Sequence, residues 1–444
     1  MLLKYIVSNY KSIGHPIEFS MFPTEENVED KYLKSIETKM GTWKILRRGG
    51  FFGPNASGKT SFVESLKFAR DFIVKGRQSD TGTGVNLYKG SFQNLERKAL
   101  FQFMFFIEGE VYEYGLSMDE IQVYEEWLYV LTSKGLTPMF TRVTDEKGKT
   151  QIEIEAKYAK KPSEERKLAE VLKNSIQEGQ INQLYLYKLY DNGAKKVRKI
   201  MEWFKGIQVM FPTTTVRGLP LRMNHDRDFQ SFVSNSLEKL DTGVTKVSVV
   251  SDEINFIEFA EKMDLPKEII ADIEEKKNGI ISINGKYFIF GRKDIRKTVL
   301  MQIKFEHRLN DEVFQFNIED ESDGTQRLLD LLPIIFGMNE KSHMIYCVDE
   351  IDRSLHTKLS MYLLNKFLKE ANNTCNQIIF TAHDVNLINL NEFSQNEIWF
   401  VEKNMLGETK IKPFSDFDIK DGKNVIKSYL AGRFGAIPVI KGGI

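Results

Sequence analysis

Gly53-Pro54-Asn55-Ala56-Ser57-Gly58-Lys59-Thr60 has the spacing G-x-x-x-x-G-K-T, and a strand-like run, residues 43–52, leads into it. Glycines allow the backbone to wrap closely around an anionic group, so that successive N–H groups converge on it. Lys59 would reach the β- and γ-oxygens, and Thr60 would offer its hydroxyl to Mg²⁺. Apolar residues at helical spacing follow from Ser61, and the positive end of that helix would face the same anion. The stretch therefore predicts a phosphate-binding loop for a nucleoside triphosphate.

The composition is typical of a globular protein without net charge. Of 444 residues, 41% are hydrophobic and 28% are charged, and 62 basic residues balance 62 acidic ones. A chain of this length is expected to form two or three lobes. We find no apolar run long enough to span a bilayer, and the first residues become polar too soon for a secretion signal. Cys347 and Cys375 lack metal-ligand spacing, so we expect a cytoplasmic protein with no zinc site, disulfide framework or membrane partner.

Two apolar runs end in residues suited to nucleotide chemistry. Residues 343–348 lead into Asp349 and Glu350. An Asp at the tip of a buried strand suits the Mg²⁺ partner of a phosphate loop, and Glu350 would orient and polarise the attacking water. The run 376–382 leads into His383, one helix-length connection later. If the two strands are parallel neighbours, His383 lies beside Glu350 and the γ-phosphate; a purely structural histidine is the alternative.

Ser322 and Gly324 stand at the head of an amphipathic segment. Apolar residues at positions 328, 329, 331, 332 and 335 have helical spacing. A serine at a helix N-cap with a glycine beside it makes a compact anion site of hydroxyl and backbone N–H groups. A capped helix with no further role explains the same pattern, so both interpretations stay open.

The order of these motifs resembles the ABC-type ATPase head shared by chromosome-maintenance and DNA-repair ATPases. More narrowly, several stretches look like the OLD-like and abortive-infection (AAA-type) ATPases of bacterial phage defence, namely residues 9–13, 53–60, 322–327, 349–356 and 429–438. The tail, residues 429–438, discriminates most, because general ABC heads do not carry it. No fused TOPRIM nuclease is evident, since the only Asp-x-Asp after His383, at 416–418, has no suitably spaced upstream Glu and is interpreted as a loop.

The resemblance implies an α/β fold: an ABC-type P-loop ATPase head with a mixed or parallel sheet, helices and an antiparallel β subdomain, interrupted by an α+β insertion. It implies slow hydrolysis of Mg-ATP in a head-to-tail dimer, with Lys59, Glu350 and His383 as catalytic residues. Ser322 and Gly324 would then act in trans on the nucleotide of the other copy, and His383 would be the γ-phosphate switch. Family members are typically encoded beside a second protein, often a TOPRIM-type nuclease or another toxic effector, which implies such a partner here.

Some family positions are less clearly matched. Lys11 stands where relatives often carry an Arg beside the nucleotide, and Gln93 is the best candidate for the Mg²⁺-holding glutamine. The expected metal ligands are thus Thr60, Asp349 and Gln93. The expected nucleotide contacts are residues 53–60 with Ser61, Ser322, Gly324 and Lys11. The signature matches only the Ser and second Gly of Leu-Ser-Gly-Gly-Gln, and His356 replaces the aspartate of transporter heads.

The chain is predicted to divide into three segments: an ATPase lobe with the phosphate loop (1–130), an insertion of helices and short strands (131–298), and a second ATPase lobe (299–444). Alternating apolar residues over 99–130 predict antiparallel strands. The insertion has no sustained heptad repeat and no Cys-x-x-Cys hook, which argues against a long-armed repair protein. Its basic cluster, residues 195–199, is typical of a solvated helix face, with a nucleic-acid contact as the alternative.

The rival function is a DNA-binding, ATP-driven clamp in recombination or repair. The absence of net charge weakens this reading but leaves it open, and a transporter subunit ranks third. Salt-dependent DNA binding would favour the clamp, whereas a stable complex with the product of an adjacent gene would favour effector control. A phage protein is a further partner that the sequence leaves open.

Overall fold

The computed structural model describes residues 1–24, 28–77, 81–90, 98–177, 179–214, 216, 218–268, 270–271, 279–283, 286–290, 298–310, 312–338, 343–417 and 425–437. The chain forms two compact units. The first comprises Met1–Pro212, Met338–Asp352 and Ser360–Ile444, and the second comprises Thr213–Gly337 and Arg353–Leu359. None of the described helices combines the length and the apolar composition that crossing a membrane requires.

A mostly parallel sheet carries the phosphate loop in the first unit. Its strand order is β11-β17-β18-β5-β19-β20, with parallel pairing from β11 to β19 and an antiparallel edge strand. The strands are β5 (Arg48–Phe52), β11 (Ile207–Met210), β17 (Ile345–Val348), β18 (Gln377–Ala382), β19 (Ile398–Lys403) and β20 (Thr409–Pro413). Every residue of β5, β17 and β18 is buried, as expected for parallel strands covered on both faces.

A second, antiparallel sheet confirms the β subdomain expected over 99–130. Its order is β10-β9-β8-β7-β6-β1-β2. The strands are β1 (Leu2–Ser8), β2 (Ile17–Ser20), β6 (Ala99–Ile107), β7 (Glu110–Met118), β8 (Val123–Thr132), β9 (Gly135–Thr144) and β10 (Thr150–Ile154). A separate hairpin joins β3 (Leu33–Thr38) to β4 (Gly41–Leu46). The run 43–52, expected as one strand, is therefore divided between β4 and β5, which pair with different partners.

The loop helix α1 (Lys59–Lys75) is held by an aromatic core. Phe62 on its first turn contacts Phe51 of β5 at 4.5 Å and both Tyr5 and Phe19 at 5.7 Å between ring centroids. Buried rings of this size dominate core energetics, so they fix where α1 begins relative to β5. The other helices assigned wholly or partly to this unit are α2 (Glu164–Gln177), α3 (Tyr185–Asp191), α4 (Arg198–Lys205), α9 (Thr357–Glu370) and α10 (Val425–Leu430).

The second unit is a smaller α+β body. Its sheet has the order β12-β15-β14-β13, and β16 also pairs with β15. The strands are β12 (Val244–Ile254), β13 (Gly279–Ile283), β14 (Lys286–Phe290), β15 (Thr298–Leu309) and β16 (Glu312–Phe316). Its helices include α5 (Leu219–His225), α6 (Arg227–Lys239), α7 (Phe256–Lys262) and α8 (Asp323–Phe336). Phe336 of α8 packs on Phe229 and Phe232 of α6, with ring centroids 5.1 and 5.2 Å apart.

The predicted segment boundaries do not coincide with these units. The boundary after residue 130 falls inside β8, and residues 131–212 belong to the first unit. The boundary at 299 falls inside β15, which pairs with β12 and β14. Strand pairing joins segments that local composition separates, and the second unit begins at Thr213 and includes the helix headed by Ser322.

Candidate functional site

The phosphate loop connects the carboxyl end of β5 to the start of α1. Ala56 and Gly58 have positive φ angles of 62° and 108°. A Cβ atom at Gly58 would lie 1.9 Å from Thr409 Oγ1, and one at Gly53 would lie 2.1 Å from the carbonyl oxygen of Val401. Both glycines are thus required by the close approach of β19 and β20. Asn55 and Ala56 are exposed, and Ser57 is buried.

Lys59 extends back along this loop. It is 4% exposed, and its Nζ donates hydrogen bonds to the carbonyl oxygens of Gly53 (2.7 Å) and Pro54 (3.1 Å). The same Nζ lies 3.4 Å from Nδ1 of His383. Burial lowers the pKa of Lys59 to about 8, although three nearby carboxylates oppose the shift. A buried ammonium among carbonyl oxygens is well placed to meet an anion at the mouth of the loop.

Thr60 and Asp349 lie together, as a shared Mg²⁺ site requires. Thr60 Oγ1 donates to Asp349 Oδ2 at 2.9 Å, and Thr381 Oγ1 donates to Asp349 Oδ1 at 2.7 Å. Burial raises the pKa of Asp349, while the hydrogen bonds from Thr381 and Thr60 act against that shift. Mg²⁺ in nucleotide sites takes one or two carboxylates with substrate phosphates and water, so a hydroxyl and one carboxylate fit this ion.

Glu350 and His383 follow neighbouring parallel strands, β17 and β18, and their side chains meet. Glu350 Oε1 lies 3.5 Å from His383 Nε2, and each side chain is about one-third exposed, 33% and 34%. The backbone N–H of Glu350 donates to Thr381 Oγ1 at 2.8 Å, and its φ is 48°. A positive φ at a non-glycine residue is unfavourable unless its surroundings hold it, and such residues cluster at functional sites.

Asp352 belongs to this arrangement, although the sequence reasoning did not single it out. Its Oδ2 accepts the backbone N–H groups of His383 (2.8 Å) and Asp384 (2.6 Å). Its Oδ1 is buried and has no hydrogen-bond partner among the described residues. Asp352 therefore fixes the segment that carries His383. The available signal was its place in the stretch 349–356, quoted for the family resemblance.

Ser12 and Thr409 were also missed. Thr409 Oγ1 donates to the carbonyl oxygen of Ser57 at 3.0 Å and lies 2.8 Å from Ser12 Oγ. Ser12 Oγ in turn donates to Ser61 Oγ at 2.9 Å. The opening motif, residues 9–13, thus contacts the loop through Ser12. Ser61, expected to contact nucleotide, lies at the junction of this network and α1.

Two further residues that were predicted to belong to the site are Lys11 and Gln93. Lys11 Nζ lies 2.6 Å from Glu64 Oε2, so in this structure its charge is paired with α1 one turn beyond Thr60. Its expected role at the nucleotide stays a prediction. Gln93 lies outside the described residues.

Ser322 and Gly324 lie in the second unit, at the start of α8. Ser322 is the N-cap: its side chain accepts the backbone N–H of Thr325 at 3.1 Å, and the residue is exposed. A Cβ at Gly324 would lie 2.8 Å from the carbonyl oxygen of Ser354, so this glycine allows a close backbone approach. These contacts agree with the interpretation of Ser322 as a capping residue. Ser322 is also accessible to a ligand or partner.

Comparison with known proteins gives one family. Residues 50–389 match the family model described as "AAA domain, putative AbiEii toxin, Type IV TA system". No curated protein matches the chain. Similar solved structures include an SMC head domain from Thermotoga maritima (13% identity, TM-score 0.39, covering 94% of this chain and 99% of that chain).

Two further similar structures are SMC heads bound to ScpA. One is an SmcHead bound to the C-winged helix domain of ScpA (13% identity, TM-score 0.45, covering 93% and 97%). The other is an Smc head with an extended coiled coil, bound to a ScpA C-terminal domain derived from Pyrococcus furiosus (13%, 0.40, 93% and 95%). At this identity we draw no functional conclusion from them. The family match, in contrast, spans well over half of the chain and contains both the phosphate loop and the Asp349–Glu350 strand tip. The protein therefore belongs to the family of AAA-domain ATPases described as putative AbiEii toxins of a type IV toxin–antitoxin system.

Proposed function

We propose that this protein binds Mg-ATP at residues 53–61 and hydrolyses it slowly. The observation that carries the proposal is the convergence of Lys59, Thr60, Asp349, Glu350 and His383 at the carboxyl ends of adjacent parallel strands. Ligands of open α/β sheets bind outside this end of the strands. Unrelated strand tips would not bring an ammonium, a metal-binding pair and a carboxylate to one place.

Each side chain has a distinct task in this proposal. Lys59 and the loop N–H groups bind the triphosphate, and Thr60 with Asp349 would hold Mg²⁺, which would neutralise negative charge on the triphosphate. Glu350 orients a water molecule and accepts its proton. Lys59 Nζ can only donate, so the facing Nδ1 of His383 accepts and the ring hydrogen sits on Nε2. His383 therefore presents a donor toward Glu350 and the place of the γ-phosphate.

The test of hydrolysis is phosphate release by purified Glu350→Gln. This change should preserve ATP binding and slow turnover by about two orders of magnitude, because the amide cannot accept the proton. Glu164→Gln on α2, whose side chain is 91% exposed, is the matched control and should behave as wild type. Unchanged turnover in Glu350→Gln would remove Glu350 as the base. Lys59→Ala should abolish nucleotide binding, and retained tight binding would contradict the loop assignment.

The proposal includes a head-to-tail dimer in which Ser322 and Gly324 of one copy complete the nucleotide site of the other. Two observations support it: the motif order resembles that of dimeric ATPase heads, and Ser322 is exposed at the positive end of α8. ATP bound between two such surfaces would hold them together, and hydrolysis would release them.

The proposed biological role is anti-phage defence in the cytoplasm, through control of an effector encoded beside this protein. The family description, which names a toxin–antitoxin system, supports a role of this kind. The tail motif also supports this role, because general ABC heads do not carry it. In the structure, Phe434 of this motif stacks on Phe400 of β19 at 5.3 Å between ring centroids, and Tyr429 Oη donates to the carbonyl oxygen of Ala436 at 2.6 Å.

Copurification tests this role. Affinity capture of the tagged protein from its native host should recover the product of the adjacent gene in ATP, and recovery should change in Glu350→Gln. The alternative, a DNA-binding clamp, would be favoured if no such complex forms and the purified protein binds duplex DNA in an ATP-dependent and salt-dependent manner.

A further inference from the structure

A cavity of about 560 Å³ lies in the first unit, away from the nucleotide site. Its volume is within the range of about 300–1,000 Å³ that is usual for small-molecule sites. The apolar lining comes from Ile107, Trp203 and Met344; the charged lining comes from Lys195, Lys196, Arg198, Lys199, Glu108 and Glu202. The basic cluster noted in the sequence therefore borders a concave surface rather than a flat helix face.

The cavity lies at the opposite ends of the strands that carry the catalytic residues. Gly206 directly precedes β11, and His343 and Met344 directly precede β17. Asp349 and Glu350 follow the other end of β17, and a strand of this length spans about 13 Å. A ligand in this cavity would therefore not contact the nucleotide.

Two buried ring nitrogens at the cavity have no hydrogen-bond partner in the described part of the chain, Trp203 Nε1 and His343 Nδ1. Trp203 is 3% exposed, and its ring stacks on Phe105 with centroids 4.1 Å apart, so the indole is held in place. An indole N–H can only donate, and burying it without an acceptor is unfavourable. Because this nitrogen is itself buried, a ligand in the cavity would meet the apolar ring of Trp203 and not its N–H group.

The cationic charge at the cavity is only partly neutralised. Lys199 Nζ is paired with Glu110 at 2.9 Å. Lys195 and Lys196 are exposed, and their backbone N–H groups, not their ammonium groups, contact the carboxylate of Glu165. Within the described ranges, neither ammonium group has an ion pair. Two adjacent free cations beside an apolar lining favour a ligand that is anionic at one end and apolar at the other.

We propose that this cavity is a second binding site, for a small organic anion with an aromatic or aliphatic body. The carboxylate or phosphate of the ligand pairs with Lys195 and Lys196, and its body lies against Trp203 and Met344. The site is independent of the proposed ATPase function, because it requires neither the phosphate loop nor a second copy of the chain.

The test uses anilinonaphthalene sulfonate, a fluorescent aromatic anion, as the probe. We expect saturable binding to one site, displaced by phenyl phosphate or by benzoate but not by inorganic phosphate, which lacks the apolar body. Displacement by only one of the two aromatic anions would identify the ligand as a phosphate or a carboxylate. Displacement by neither would overturn the proposal.

A charge-reversal variant tests whether the probe binds in this cavity. The double variant Lys195→Glu, Lys196→Glu should weaken binding by about tenfold or more, because two attractions become repulsions. Lys160→Glu, Lys161→Glu makes the same change at an adjacent exposed pair outside the cavity and should bind as wild type. Lys59→Ala should also bind as wild type, which separates this site from the nucleotide site. Binding that does not saturate, or that is equal in the two double variants, would overturn the proposal.

Discussion

At the scale of single residues, Lys59 combines a buried position with a task that needs its charge. Burial lowers its pKa from the ordinary 10.5 to about 8, against the attraction of Asp349, Asp352 and Glu350. Because the folded-state pKa is the lower one, the folded protein loses this proton first as the pH rises. The unfavourable contribution of the buried charge is therefore full below about pH 8 and disappears between about pH 8 and 10.5. A bound triphosphate favours the charged form and raises the pKa again.

ATP affinity should consequently fall as the pH rises above about 8, because binding must then restore a proton to Lys59. The measurement is a titration with a fluorescent ATP analogue at several pH values between about 7 and 9.5. Lys59→Arg is the control, since its guanidinium stays charged throughout this range and its affinity, whatever its level, should not vary. A wild-type affinity that is constant across the range would show that the free-state pKa of Lys59 lies well above 8.

The proposed site residues that stand at strand tips could be predicted from the sequence, whereas those that act through the backbone could not. Glu350 and His383 could be inferred because apolar runs that end in polar residues imply neighbouring strand ends. Asp352 could not, because its partners are the N–H groups of residues 383 and 384, which carry no sequence signal. The same applies to Thr409, whose acceptor is a loop carbonyl far earlier in the chain.

At the scale of elements, β20 supports the phosphate loop from the side. Thr409 Oγ1 is the donor to the Ser57 carbonyl and lies against the position where a Gly58 side chain would begin. The loop conformation therefore depends on an edge strand, which among the described strands pairs with β19 alone.

Thr409→Val should lower the free energy of unfolding by about 1–3 kcal/mol, because the Ser57 carbonyl loses its donor inside the protein. ATP binding should weaken as well, since the loop is no longer held in the binding conformation. Urea denaturation and nucleotide titration measure the two effects. Thr409→Ser retains the hydroxyl and should keep most of the affinity for ATP. A loss of affinity in Thr409→Ser with none in Thr409→Val would mean that the threonine methyl, not the hydrogen bond, supports the loop.

Elements with a strong local pattern were predictable and those defined by pairing were not. The alternation over 99–130 gives β6, β7 and β8. The run 43–52 is apolar enough for one strand, yet β4 pairs with β3 while β5 lies between β18 and β19. Which strand a segment joins is decided by long-range packing, so a continuous pattern can hide a change of sheet.

At the scale of the whole molecule, the division into units also follows from long-range strand pairing. Residues 131–212 resemble an insertion in composition but complete the antiparallel sheet and cover the first unit with α2, α3 and α4. Conversely, Ser322 and Gly324 lie in the second unit, whereas Lys59 lies in the first unit. The phosphate loop and the Ser322–Gly324 pair, which are proposed to meet at one nucleotide, are thus carried by different units.

Mixing two inactive variants distinguishes a nucleotide site that is shared by two copies from one that is formed by a single copy. Lys59→Ala disables the loop, and Ser322→Asp keeps a good N-cap for α8 while placing a negative charge where a phosphate would bind. If the sites are shared head to tail, a mixed dimer has one site with both defects and one intact site. An equal mixture should then recover about one quarter of the wild-type phosphate release, because half of the dimers are mixed and each has one working site.

Each variant alone should be inactive at the same total concentration, and Ser322→Thr, which keeps the hydroxyl, should be active. Recovery in the mixture can arise only if Lys59 and Ser322 of different copies meet at one nucleotide. An inactive mixture of well-folded variants would mean that each site takes both residues from a single chain, and the head-to-tail arrangement would be excluded. Full activity of Ser322→Asp by itself would instead leave Ser322 with no role beyond the cap that it forms with Thr325.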